Sequence, residues 1–251
     1  MGRWGKAQVF RQRRSRLKDD RMRKTARFFM TLAILLCLLL CGENAQAAAT
    51  DVVIADYAMA EADYAEVLSY YQKLPEGCRR ALETYGWTIR FTDMTMDEVL
   101  SYDRQVLLSR YPNAKVCVTA PVANTTGITK YGTRTIYINR EKTESFGEGI
   151  TEQTLLHECG HAIDRILYYE ATATDVPEMV HISYSDFDAS FPEIFTKERV
   201  HARAYAQSKS REYFADAFAA MILDPEGTRK VFRETCGFIT TAMDQYLETT
   251  E

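Results

Sequence analysis

Polar and apolar positions follow two periods along the chain, and the change of period divides it into two parts. Up to about residue 140, short stretches in which apolar and polar residues alternate predict β-strands. Between them, apolar residues that recur every three or four positions predict helices. The predicted strands are residues 87–92, 115–120 and 134–139. The predicted helices of this part are residues 57–73, 76–85 and 93–110.

Beyond residue 140 the helical period dominates. A polar loop with Gly127 and Gly132 joins the last two strands, and a later loop, residues 171–188, is long enough to cover a cleft as a lid. The helices predicted after this loop are residues 189–208, 210–223, 226–233 and 237–247. Strands therefore precede helices, which predicts an α+β fold with a small mixed sheet, helices in the N-terminal part and an all-helical C-terminal part.

One HExxH motif, formed by His157, Glu158 and His161, lies at the border between the two parts. A separation of four residues returns a helix to nearly the same face, so the two imidazoles can hold one metal ion. Imidazole suits zinc, and Glu158 would stand beside the ion as general base for a bound water. An accidental match is the alternative. The apolar residues that flank the motif and the absence of nearby proline favour a helix, and with it the metal site.

A third metal ligand must come from elsewhere in the chain. The glycine and histidine that would extend the motif to HExxHxxGxxH are absent, which excludes the metzincin pattern. Residues 210–223 predict an amphipathic helix with Ser210 as N-cap, on which Glu212 and Asp216 share a face. In such a pair, Glu212 would bind the zinc ion as its third ligand. Asp216 would stand behind it and form a hydrogen bond with a ligating imidazole, which fixes the tautomer of that ring. A solvated acidic stripe is the alternative.

Two other histidines are alternative candidates for the third metal ligand. His201 lies eleven residues before Glu212 on a predicted helix and could replace it, whereas His181 lies in the predicted loop. Isolated histidines are more often hydrogen-bonded bystanders, so Glu212 remains the preferred third ligand.

The two segments HECGHAID and REYFADAF together resemble the metallopeptidase domain of anthrax lethal factor and its relatives, which include the secreted Pro-Pro endopeptidases. The resemblance covers about residues 150–218 and implies a zincin-like fold, peptide hydrolysis and one zinc ion. The implied ligands are His157, His161 and Glu212, with Glu158 as the base. It also implies that Tyr205, seven residues before the third ligand, stabilises the oxyanion of the tetrahedral intermediate.

The resemblance further implies a substrate-binding strand, and the chain departs from the family pattern at two points. Ile136, Tyr137 and Ile138 would line the cleft and pair with an extended substrate, with an ordinary core strand as the alternative. Asp216 stands where several relatives carry glutamate, and the segment from His161 to Glu212 is longer than in some of them. These departures leave the substrate sequence open.

The first 47 residues predict a secretory signal peptide rather than part of the fold. A basic stretch precedes an apolar run from Phe28 to Cys41, and Ala45-Gln-Ala47 suits a cleavage site. The run is short for a retained membrane anchor, which needs about 20 apolar residues. Met22 begins a compact basic region, so translation is hypothesised to start there. Residues 48–251 then form one domain with two lobes, which we expect to be secreted.

Charge and cysteines constrain the partners of the mature chain. The whole sequence has 31 basic and 35 acidic residues; the leader contains 11 of the former and three of the latter, so the remainder has a formal charge of −12. This balance argues against nucleic acid and against stable membrane association. The cysteines that remain are Cys78, Cys117, Cys159 and Cys236. Their pairing is open, although Cys159 is expected to face the core.

These observations predict a secreted, monomeric zinc endopeptidase that acts on extended protein or peptide substrates, and the resemblance suggests that these substrates are rich in proline. A secreted binding module stabilised by zinc is the first alternative, but such sites usually have four protein ligands. A toxin-like protease that acts on host proteins is the second.

Overall fold

The computed structural model describes residues 52–113, 125–174 and 182–247. All of them belong to one compact unit, Ala49–Glu251. The predicted leader, the predicted strand 115–120, Cys117 and His181 lie outside the described residues. Within the described ranges, no helix has the length and apolar character needed to span a membrane.

A mixed sheet of four short strands organises the N-terminal half. The strands are β1 (Val53–Ala55), β2 (Thr88–Thr92), β3 (Gly127–Lys130) and β4 (Thr135–Asn139). They lie in the order β1-β2-β4-β3, with β1, β2 and β4 parallel and β3 antiparallel to β4. Every residue of β4 is buried, because this strand has a neighbour on both sides. The small mixed sheet and the helix-rich remainder confirm the α+β prediction.

Helices surround the sheet and form the C-terminal half. Before the motif they are α1 (Glu61–Gln72), α2 (Glu76–Thr84), α3 (Met96–Arg110) and α4 (Arg140–Ser145). From the motif onward they are α5 (Ile150–Thr172), α6 (Tyr184–Phe187), α7 (Phe191–Glu198), α8 (Ser210–Leu223), α9 (Pro225–Val231) and α10 (Arg233–Tyr246). Two single 3₁₀ turns, Arg199–His201 and Ala206–Ser208, lie between α7 and α8.

Three predicted boundaries were wrong, each for a local reason. Helix α1 begins at Glu61 rather than at residue 57, after an extended Ala60. Helix α3 begins at Met96 rather than at residue 93, because Thr95 and Glu98 form a capping box there. Ser210 is the first helical residue of α8 and not its N-cap, and its hydroxyl donates to Asp186.

Two larger elements also differ from their predictions. The predicted loop around Gly127 contains strand β3, which pairs with β4 across a turn at residues 131–134. The single helix predicted over 189–208 is interrupted after Glu198. There the backbone turns extended at Ala202, and Arg203 forms side-chain bonds with Asp216 on α8.

Helix α5 runs through the centre of the main apolar core. Its core-facing residues are fully buried: Leu155, Leu156, Cys159, Ala162, Ile163, Ile166 and Leu167. Cys159 therefore faces the core, as expected, and Cys159 and Cys236 are free thiols. Because this helix is packed on several sides, the histidines of its motif have fixed positions.

Candidate metal centre

His157 and His161 lie one turn apart on α5, and Glu212 reaches them from α8. The Oε2 atom of Glu212 is 3.4 Å from Nε2 of His157 and 3.2 Å from Nε2 of His161. The ligand-type atoms of the three residues all lie within 4.8 Å of one another. Within the described residues this is the one such group of three or more. The structure thus brings together the three residues predicted as ligands.

Two atoms of this group, Nδ1 of His161 and Oε2 of Glu212, are buried without a hydrogen-bond partner in the described part of the chain. Glu212 Oε2 is buried and accepts no hydrogen bond from the described part of the chain. A buried carboxylate oxygen without a partner is costly. Its position between two imidazole nitrogens is the arrangement that a metal cation would satisfy. The donor set of two imidazoles and one carboxylate fits zinc.

Close packing of α5 on α8 makes this convergence geometrically possible. A Cβ atom at Gly160 would lie 2.9 Å from Ala215 Cα and 3.2 Å from the Ala215 carbonyl oxygen. The glycine inside the motif therefore allows the two backbones to approach closely. As a result, Glu212, one turn before Ala215, comes within reach of the histidines.

The field at this site favours a positive charge. Burial disfavours the charged imidazole of His157, but the hydrogen bond with Asp216 and the adjacent Glu212 carboxylate outweigh it and raise the pKa of His157 from 6.5 to about 10. Burial likewise disfavours ionised Glu212, yet the imidazoles of His157 and His161 hold its pKa well below 4.5. Carboxylates that stabilise a proton here also favour a metal cation, which competes with that proton.

Asp216 lies behind His157, on the side away from Glu212. Its Oδ1 atom is 2.8 Å from Nδ1 of His157, and Arg203 donates to both of its oxygens, with Nε 2.9 Å from Oδ2. Burial raises the pKa of Asp216, but the bonds from His157 and Arg203 outweigh this and leave it below 3.8. An ionised carboxylate can only accept, so Nδ1 of His157 carries a hydrogen, and Nε2 is the ring nitrogen that faces the position of a metal.

Glu158, the residue after His157, contacts strand β3 of the sheet. The hydroxyl of Thr129 on β3 lies 2.6 Å from Glu158 Oε2 and 2.9 Å from the Glu158 carbonyl oxygen. Gly127, two residues earlier, allows this approach, since a Cβ there would lie 3.0 Å from Glu158 Cγ and 2.7 Å from Thr154 Cγ2. Strand β3 thus fixes the orientation of the Glu158 side chain.

An open cavity of about 530 Å³ lies in front of His157 and Glu158. Its lining combines the start of β3 and of α5 with the connection before α8: Thr125, Thr126, Gly127, Phe146, Ile150, Gln153, Thr154, Arg203 and Tyr205. Phe146 and Tyr205 are large aromatic residues that are more than half exposed. Burial and the Glu212 carboxylate raise the pKa of Tyr205 above 10.0, so its phenol remains a hydrogen-bond donor at neutral pH.

The predicted substrate-binding residues are not in the cavity lining. Ile136 and Ile138 are fully buried in the main core, and Tyr137 packs against Met96 and Val99 on the opposite face of the sheet. That prediction was wrong because β4 is an interior strand, paired with both β2 and β3. Among the described strands, β3 has a partner on one side and contributes residues to the cavity.

Sequence reasoning missed Thr129, Gly127, Phe146 and Arg203. The stretch Gly127-Ile-Thr-Lys130, followed by a turn with Gly132, contained a weak strand signal that could have indicated β3. No signal of that kind marks Arg203 or Phe146. His201 is exposed in a 3₁₀ turn and does not belong to the group of ligand-type atoms.

An α+β fold, an HExxH helix at its centre and an acidic side chain from a later helix define a zincin-like protein. The chain belongs to the anthrax lethal factor family: the model described as anthrax toxin lethal factor, N- and C-terminal domain, matches residues 43–237. Family membership and fold agree with the resemblance inferred from the motifs.

The fold is shared with a solved peptidase structure. The Pro-Pro endopeptidase PPEP-2 from Paenibacillus alvei matches with a TM-score of 0.52 and 20% sequence identity, over 77% of this chain and 98% of that one. At this identity the match shows a common fold. No protein of curated function matches the sequence.

Proposed function

We propose that this chain is a secreted zinc-dependent endopeptidase that hydrolyses peptide bonds in extended protein substrates. The observation that carries the proposal is the unpartnered Glu212 oxygen between two imidazoles, beside Glu158 at the floor of an open cavity. Membership in the lethal factor family supports a peptidase. The predicted leader, residues 1–47, supports secretion, and we expect the mature chain to act as a monomer.

His157, His161 and Glu212 would hold the zinc ion. Three protein ligands leave a coordination position open for water or substrate, which distinguishes such a site from a closed structural one. When bound, zinc supplies a water of lowered pKa and polarises the substrate carbonyl.

Glu158 would move the proton. In this mechanism its carboxylate accepts a proton from the attacking water and later donates it to the leaving amine. The hydroxyl of Thr129 holds Oε2 of Glu158, so the other oxygen is free for the transfer. A fixed carboxylate avoids reorientation during the reaction.

Tyr205 would stabilise the oxyanion. Its phenol lines the cavity in the connection before α8, and its raised pKa keeps the donor hydrogen in place. A preorganised donor at the developing negative charge lowers the barrier of acyl transfer. The partial exposure of Tyr205 leaves it accessible to a substrate.

The substrate would bind across the cavity between β3 and the Tyr205 connection. An extended peptide can form main-chain hydrogen bonds with a strand edge, and Phe146 and Ile150 provide apolar contacts beside it. Because the structurally similar protein is a Pro-Pro endopeptidase, we propose substrates that contain proline.

The apolar contact from Phe146 can be tested by steady-state kinetics with a cleaved peptide. Phe146→Ala is expected to raise KM about 10-fold, in keeping with the loss of an apolar contact.

The test uses the purified protein, the Glu158→Ala variant and a peptide library enriched in proline, with products read by mass spectrometry. We expect cleavage by the wild type alone, abolished by a chelator and restored by zinc. Equal cleavage by both proteins would refute the proposed role of Glu158. One bound zinc without any cleavage would favour the binding module over the peptidase.

A further inference from the structure

The contact between His157 and Asp216 depends on a third residue outside both helices. Arg203 lies between the 3₁₀ turns Arg199–His201 and Ala206–Ser208, and its side chain is 56% exposed. Its Nε donates to Oδ2 of Asp216 at 2.9 Å, and its Nη2 donates to Oδ1. The same Oδ1 atom of Asp216 also accepts a hydrogen bond from Nδ1 of His157.

Two donors on one rigid fork fix the plane of the carboxylate. A guanidinium that binds both carboxylate oxygens restricts rotation of the acid far more than a single donor does. The plane of the Asp216 carboxylate in turn sets the direction of the Nδ1–H bond of His157. Rotation of that ring would move Nε2 relative to His161 and Glu212.

We infer that Arg203 is a positioning residue of the metal centre: through the bidentate contact with Asp216 it holds the His157 imidazole so that Nε2 is presented to the metal. This inference rests on the part of the proposed function that assigns a metal to the site. It does not depend on peptide hydrolysis.

The test measures zinc affinity by competition with a chromophoric chelator. The variants are Arg203→Met, Arg203→Lys, Asp216→Ala, the double variant of Arg203→Met with Asp216→Ala, and Arg199→Met. Arg199→Met is the matched control, because Arg199 is also an exposed arginine that holds this connection, through Gln207, without contacting Asp216.

We expect Asp216→Ala to weaken zinc binding about 10- to 100-fold, the usual range for a residue that orients a ligand. Arg203→Met should weaken it about 10-fold, at the lower end of that range, and Arg203→Lys should recover part of the loss. In the Asp216→Ala background, Arg203→Met should have no further effect, because the two residues act in series. Arg199→Met should bind zinc as the wild type does.

Three results would overturn the inference. They are wild-type affinity in Arg203→Met, an equal loss in Arg199→Met, or an undiminished effect of Arg203→Met in the double variant. Zinc affinities that follow the expected order without any peptide cleavage would refute the peptidase and leave the role of Arg203 intact. A wild-type protein that binds no zinc would refute both.

Discussion

The two walls of the cavity are built in different ways. The helical wall, α5 and α8, contains the ligand-type residues His157, His161 and Glu212, held by backbone contact at Gly160. The sheet wall is the short strand β3, which reaches the site through the hydroxyl of Thr129. The helical wall thus assembles the proposed metal centre, whereas the sheet wall orients the proposed base, Glu158, and borders the cavity. Variants in the two walls should therefore affect different measurements.

The largest effect is expected for the base itself. Glu158→Gln removes the proton acceptor but keeps the size of the side chain, so kcat should fall about 10²- to 10⁴-fold while one zinc remains bound. Steady-state kinetics and metal analysis of the same sample test this. Glu170→Gln, an exposed glutamate later on the same helix, is the control and should retain full activity. Near-normal turnover by Glu158→Gln would rule out its role as base.

The second prediction concerns Thr129 of the sheet wall, whose loss should lower kcat without changing zinc affinity. Thr129→Val removes the hydroxyl that holds Glu158 at nearly constant volume, and hydrogen bonds to charged groups contribute about 1.5–3 kcal/mol. We expect kcat to fall about 10-fold or more, with zinc affinity unchanged. Thr129→Ser keeps the hydroxyl and should restore most of the activity. A large loss of zinc affinity in Thr129→Val would show that the two walls are not independent.

A third prediction concerns the packing of the helical wall. Gly160→Ala gains about 1 kcal/mol of helix propensity, but its methyl group would collide with the Ala215 backbone, and overpacking costs about 1–3 kcal/mol. We expect a net loss of stability and weaker zinc binding, measured by thermal unfolding and chelator competition. Gly237→Ala on α10 is the control: no atom lies within 4 Å of its Cβ position, so it should be stabilised by about 1 kcal/mol. Equal stabilisation by both substitutions would contradict the close contact.

The smallest effect is expected for Ile136→Val, which tests whether β4 is a core strand rather than a substrate-binding strand. Ile136→Val should lower the free energy of unfolding by about 0.5–1.5 kcal/mol, because Ile136 is a core residue. KM should not change, since the side chain does not line the cavity. Denaturant unfolding and steady-state kinetics with a cleaved peptide check both statements. A clear rise in KM would restore the original prediction that this strand binds substrate.

The difference between the helical wall and the sheet wall also explains which parts of the site could be predicted from the sequence. His157 and His161 share a helix face because of a local four-residue spacing, and Glu212 and Asp216 do so for the same reason. These local periods sufficed to choose the residues that the structure brings together. Strand order is not local: which strand lies at the edge depends on pairings between β2, β4 and β3 across the chain. The role of substrate strand was therefore predicted for β4, whereas the strand that borders the cavity is β3.

Arg203 shows a second kind of limit. The apolar and polar spacing of residues 189–208 resembles one continuous helix, whereas the structure interrupts it after Glu198 and directs Arg203 to Asp216. A bond between two side chains from separate elements leaves no period in the sequence. Such contacts become visible only when the two elements have been placed in space.

His157, His161 and Glu212 are proposed to hold one zinc ion with one coordination position left open. X-ray absorption at the zinc edge of the purified protein can test this coordination. We expect one zinc per chain, surrounded by nitrogen and oxygen atoms at about 2.0–2.2 Å, with this signal lost in Glu212→Ala. A shell that includes sulfur at about 2.3 Å, or a wild-type protein that retains no zinc, would contradict it.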